Sequence, residues 1–289
     1  MAAHELAWIT WIRETTQKEP GELPAMPAVA GRLMELVSNP RVELEELEAV
    51  ISQDQSIAAR LIQAANSVLY RGVMPAETVS RAAMRLGLRE TGQIAMAAAC
   101  RSLYDTRDRC EIETFPDLWE AAWKDSLVCA FGGRLIAREL KLGDPERVFL
   151  AGMFRHIGTL LTLKVISRGL VRGRLARPPE PAELVRGLEA LHVSVGVDYL
   201  KRAGMPGFVV DAVDRHHDAF VPFAPENLEL HVVRVADGIC ARIGVTPLAT
   251  AELGMAAEQS IAALAIDAER LEYFELQLQE LVDQVADMM

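Results

Sequence analysis

From Phe149 to Leu163 the chain is almost uniformly apolar, and the ionisable side chains inside that run are two neighbours, Arg155 and His156. A helix that is apolar on nearly every side must be enclosed by other elements. The run falls short of the roughly 20 apolar residues needed to cross a bilayer. It therefore reads as part of a core helix over 145–163, surrounded by further helices and carrying an ionisable pair in its interior. The rest of the chain agrees. Ile57, Ala58, Leu61, Ile62 and Ala65 share one face of a helix over 54–66, while strand-like alternation is nearly absent. Aromatic residues make up only 6% of the chain. An all-α fold is expected.

Punctuation divides the chain further. A first helix over 4–17 ends before Pro20-Gly21. Pro24 and Pro27 enforce an extended entry to a helix that closes before Asn39-Pro40. Helices are expected over 43–52, 54–66, 78–86, 88–104, 116–140, 181–189, 192–203, 206–217 and 225–243. The charged connector Thr106 to Thr114 suggests two helical lobes, 20–106 and 115–245, preceded by an N-terminal helix (1–19) and followed by an acidic amphipathic segment (246–289). Gly132-Gly133 falls inside a helix, where small residues permit close packing.

The 289 residues are 51% hydrophobic, ample for a sizeable core. A net charge of −11 and a pI near 5.1 argue against a nucleic-acid groove or an anionic membrane surface as the main partner. No secretory signal is evident, so a soluble, cytoplasmic protein is expected. Cys100, Cys110, Cys129 and Cys240 lack metal-ligand spacing and read as free thiols.

One region is more specific. Leu23-Pro-x-x-Pro27 is followed by Asp54, by Arg60-Leu61-Ile62-x-x-Ala65-Asn66-Ser67-x-x-Tyr70, and by Ala82-x-x-x-Leu86-Gly87-Leu88. These resemble the HDOD family, bacterial signalling modules related to HD phosphohydrolases, over roughly residues 20–220. Asn66-Ser67 also stands where a helix stop belongs, so the signature residues Asp54, Arg60, Asn66, Ser67 and Tyr70 are read as structural.

The resemblance gives Gly152-Met153-Phe154-Arg155-His156-Ile157-Gly158 its meaning, because it is similar to the HD motif Gly-x-x-His-Asp-Ile-Gly. There the His and Asp bind a metal that activates water. Arg155 stands in the His position, and a guanidinium cannot ligate a cation. By the same resemblance Asp125 takes an early His position, and Asp237 the terminal Asp. His192, His216 and His217 match positions of the family. The seven residues outline a degenerate HD pocket in which Arg155 pairs with Asp125 or Asp237. No catalytic residue, metal or cofactor is expected. His216-His217 reads as a helix-end pair, one imidazole inside and one in solvent.

Two features suggest partners. Arg168, Arg172, Arg174 and Arg177 form a basic stretch that could meet a phosphate, or pair with Glu180, Glu183 and other acids of the chain. Leu264, Leu271, Leu278 and Val285 recur every seven residues beside Phe274, Leu281 and Met288, an a/d-like stripe expected to dock on its own domain, a partner or a second copy being the alternatives. The resemblance implies a non-catalytic regulatory protein whose partners are a sensor kinase, a response regulator or a cyclic-dinucleotide enzyme. The alternatives are a divergent metal-dependent HD phosphohydrolase or phosphodiesterase, and a nucleotide-binding regulator using the arginine loop.

Overall fold

The computed structural model describes residues 2–37, 39, 41–67, 70, 72–104, 113–247 and 252–286. Among them the secondary structure is helical, without strands. Cys110 and most of the Thr106 to Thr114 connector lie outside the described residues. The chain divides into two compact units, Met26–Asp105 with Glu280–Met289, and Met1–Ala25 with Thr106–Gln279.

The smaller unit contains α2 (Ala28–Val37), α3 (Leu44–Ile51), α4 (Gln55–Asn66) and α5 (Val79–Tyr104). Asp54 starts α4 by accepting from the backbone N–H groups of Ser56 and Ile57 at 2.9 and 3.2 Å, as an N-cap does. Asn66 ends it. Its amide clasps the backbone of Ala76 in both directions, each bond 2.8 Å, and Arg85 Nη1 adds a bond to Asn66 Oδ1 at 3.0 Å. Tyr70 donates to Glu90 at 3.0 Å. The two helices expected over 78–86 and 88–104 form one element, α5, kinked at Gly87, whose φ of 78° suits glycine.

The larger unit contains α1 (Ala2–Lys18), α6 (Pro116–Leu140), α7 (Pro145–Phe154), α8 (Ile157–Val171), α9 (Pro181–Arg202), α10 (Gly207–Arg215), α11 (Leu228–Arg242), α12 (Gly254–Ala263) and α13 (Ala268–Ala286, the unit holding it through Gln279). Helix α6 packs on α7 and α11, and α8 packs on α9. Helix α1 joins this unit because Trp8 and Trp11 cover Gly187 of α9 and Gly169 of α8.

In this unit three further elements differ from expectation. The helices expected over 181–189 and 192–203 are one, α9, since no breaker separates them. The helix expected over 145–163 is two, α7 and α8, meeting at Arg155-His156. Their combined span, Pro145–Val171, is long and apolar enough to cross a bilayer, but 89% of its most apolar window is buried within the protein, as befits a core element. The C-terminal heptad stripe is not one helix, because α12 and α13 are separated by a turn in which Ala265 takes a φ of 52°. Leu278 and Phe274 of α13 are buried. A Cβ on Gly132 of α6 would lie 2.5 Å from Leu278 Cγ, so the glycine is what lets α13 approach.

Candidate functional site

The break between α7 and α8 builds the site. In a continuous helix neighbouring side chains diverge, and only residues three or four apart share a face. Arg155 closes α7, and His156, at φ −107° and ψ 19°, opens α8. The turn sends both side chains to the same pair of carboxylates, Asp125 of α6 and Asp237 of α11.

Arg155 is fully buried. Its Nη2 donates to Asp125 Oδ1 at 2.5 Å and its Nε to Asp237 Oδ1 at 2.6 Å. Nη1 donates to the backbone carbonyls of Asp125 and Gly152 at 3.3 and 3.2 Å, the latter near the end of α7, where a cation is favoured. Both of the pairings expected as alternatives are therefore made at once. His156 Nδ1 meets Asp125 Oδ2 at 3.0 Å, and its Nε2 lies 3.4 Å from Asp237 Oδ1. Thr246 donates to Asp125 Oδ1 at 2.7 Å.

Burial alone would raise both carboxyl pKa values. For Asp125 the Arg155 guanidinium and the His156 hydrogen bond outweigh it, holding the group below the usual carboxylate range. For Asp237, His156 and Arg155 do the same. Burial also opposes the charge on Arg155, but Asp125 and neighbouring anionic groups raise its pKa well above the ordinary value. The three side chains form a charged core that stays ionised.

Beside them stand three more imidazoles. His192 of α9 donates through Nδ1 to Leu188 O at 2.8 Å, and His216, at the end of α10, donates through Nδ1 to Val213 O at 2.8 Å. His217 is the outermost, and its Nε2 lies 3.1 Å from His192 Nε2. Burial depresses the pKa of all three, that of His192 to about 4, so they stand neutral at physiological pH. The cluster opens onto a cavity of about 340 Å³ with Asp125, His156, His192, His217 and Asp237 in its wall.

Two wall residues, Arg234 and Thr246, were not anticipated. Arg234 is 1% exposed and bonds to Gln259 Oε1 at 2.9 Å and the Asp218 carbonyl at 2.6 Å. Its signal was an arginine set among valines, Val232-Val233-Arg234-Val235, one turn before Asp237. Thr246 sits in an irregular segment and carried no such signal.

The arginine loop is placed elsewhere. Arg168 donates to the Glu22 carbonyl, Arg172 pairs with Glu22, Arg174 with Glu19 at 3.3 Å, and Arg177 with Glu183 at 2.8 Å. Each thus engages its own chain rather than framing an open phosphate cleft. Cys100, Cys129 and Cys240 are buried free thiols.

The HDOD domain profile matches residues 23–219. Over 221 residues, 74% of its length, the chain is 21% identical to an uncharacterized protein of Treponema pallidum (strain Nichols), of which it spans 41%. Among solved structures it is similar to a Shewanella amazonensis SB2B protein named, provisionally, as a metal-dependent phosphohydrolase. There the TM-score is 0.73 at 22% identity, covering 99% of this chain and 100% of that one. An HDOD domain protein of unknown function from Geobacter sulfurreducens matches with TM-score 0.68 at 22% identity, covering 96% and 97%. A provisionally named signal transduction protein from Marinobacter aquaeolei VT8 matches with TM-score 0.68 at 21% identity, covering 92% and 59%. At these identities the structural likeness establishes the fold.

The provisional name of the first Shewanella structure prompts a test of the donor set in this chain. The His-Asp set of HD enzymes does not fit, because Arg155 takes the first position of the pair and draws on both carboxylates. The imidazoles do fit a cation. One ligand nitrogen from each of His156, His192, His216 and His217 lies within 4.8 Å of the others, and His216 Nε2 is buried without a hydrogen-bond partner.

Proposed function

The chain belongs to the HDOD domain family, and from that premise we propose that it is a non-catalytic regulatory module that acts by binding. The observation that carries this reading is Arg155, fully buried and bridging Asp125 and Asp237 at 2.5 and 2.6 Å. HD-type hydrolysis needs carboxylate and imidazole donors around a metal that holds a reactive water. Here the carboxylates face a guanidinium, which neither gives up a proton nor coordinates. A buried pair of this kind also favours one arrangement of α6, α7 and α11, since losing any partner strands a charge. The module then offers helix surfaces to signalling proteins, with a sensor kinase, a response regulator or a cyclic-dinucleotide enzyme as the proposed partners.

The test is a hydrolysis assay on the full chain with bis(p-nitrophenyl) phosphate and cyclic dinucleotides, in Mn²⁺, Fe²⁺, Ni²⁺ or Zn²⁺. No turnover above the metal-only blank is expected. Turnover that disappears in His156→Ala would overturn the reading.

A further inference from the structure

We infer that His156, His192, His216 and His217 together form a binding site for one first-row transition-metal ion, through an all-imidazole set in place of the His-Asp set. The inference rests on the non-catalytic reading and gives it a ligand.

The first support is distance. The four ligand nitrogens lie within 4.8 Å of one another, and His192 Nε2 and His217 Nε2 are 3.1 Å apart. Around a tetrahedral zinc with Zn–N of about 2.0–2.1 Å, nitrogens stand about 3.3 Å apart. Binding an ion would draw the remaining nitrogens from within 4.8 Å to that spacing.

The second is orientation. Carbonyl and carboxylate oxygens only accept, so Nδ1 carries the hydrogen in His192, His216 and His156, bonded to Leu188 O, Val213 O and Asp125 Oδ2. In the neutral ring each Nε2 then keeps its lone pair. Outer hydrogen bonds of this type fix the tautomer and ring plane of metal-bound imidazoles. The Nε2 of His216 is buried and unpartnered, a cost without return unless something is bound there.

The third is charge. One guanidinium against two carboxylates leaves one negative charge over. His156 Nε2 lies 3.4 Å from Asp237 Oδ1, so a carboxylate stands beside the nitrogen that would hold the ion. A dication held by the imidazoles is attracted by these carboxylates. Imidazole nitrogens select Zn²⁺, Ni²⁺ or Cu²⁺ over Mg²⁺ and Ca²⁺, which take oxygen ligands. Four protein nitrogens fill a tetrahedral shell, so the ion holds α8, α9 and the end of α10 together and leaves no position for a reacting water.

The experiment uses the full chain, stripped with chelator and dialysed, then titrated with Zn²⁺ and separately with Mg²⁺. The readouts are calorimetry, metal content after gel filtration and thermal unfolding. One equivalent of Zn²⁺ retained, with a raised Tm and no response to Mg²⁺, is expected. His217 is the exposed member, so His217→Ala keeps the fold. It should weaken Zn²⁺ binding by more than the roughly 10–100-fold that follows loss of an outer hydrogen bond. Failure to retain zinc, or an unchanged affinity in both His217→Ala and His192→Ala, overturns the inference and leaves the reading of Arg155 intact. Zinc-dependent hydrolysis of bis(p-nitrophenyl) phosphate overturns the closed four-nitrogen shell and the non-catalytic reading together, whereas failure to retain zinc overturns the inference alone.

Discussion

Gly158 lies directly under the backbone of His192. A Cβ built on it would sit 1.8 Å from the His192 carbonyl oxygen, so the crossing of α8 and α9 exists only because that position has no side chain. The same crossing carries His156 at one helix start and His192 on the other helix. Packing and site are set by one contact. Gly158→Ala should therefore cost about 3 kcal/mol, as forced overpacking does when backbone must move. Urea unfolding monitored by circular dichroism measures it. A loss within experimental error would mean the crossing is looser than the geometry indicates.

Arg155→Ala strands Asp125 and Asp237, both charged and both drawn to a missing guanidinium. Breaking a buried pair in this way costs about 3–5 kcal/mol, read from the shift in urea midpoint at constant m. Arg155→Lys should recover only part, because an ammonium cannot bond two carboxylates and two carbonyls in one fork.

Asn66 holds Ala76 by a two-way backbone clasp at 2.8 Å. Removing the amide in Asn66→Ala leaves a buried N–H and carbonyl unmet, a loss of about 1–3 kcal/mol. Hydrogen exchange should show faster exchange at the Ala76 amide, with the core of α5 retaining its protection. Uniform loss of protection across α5 would contradict so local a role.

Glu183 answers to pH. Its hydrogen bond with Arg177, then the Glu180 backbone N–H, bring its pKa from 4.5 to about 2. A depressed folded value means the interaction stabilises the native state above the ordinary carboxyl pKa and is lost as pH falls from 4.5 toward 2. Carboxyl chemical shifts in an NMR titration should place the midpoint well below 4.5. Arg177→Gln should return it upward, and added salt should shift it the same way, as screening requires of an exposed pair.

Much of the fold was legible because helices announce themselves locally. Proline entries, Asp54 as a cap and the face shared by Ile57, Leu61 and Ala65 need only neighbouring residues to be read. The misplaced breaks, at Arg155-His156 and around Ala265, lie where tertiary demands override a local helical pattern. No short-range periodicity registers that two adjacent side chains must point at the same pair of carboxylates.

The site divides along the same line. Sequence by itself determined an all-α chain of the HDOD family, and its motifs pointed to Asp125, Arg155, His156, His192, His216, His217 and Asp237. Only the packing of six helices decided that Arg155 meets both carboxylates, that Thr246 and Arg234 join the wall, and that four imidazoles converge. Charge balance and ligand geometry are properties of distances between segments remote in the chain. Those distances come from how helices cross, which a residue's identity constrains, as at Gly158, but does not state.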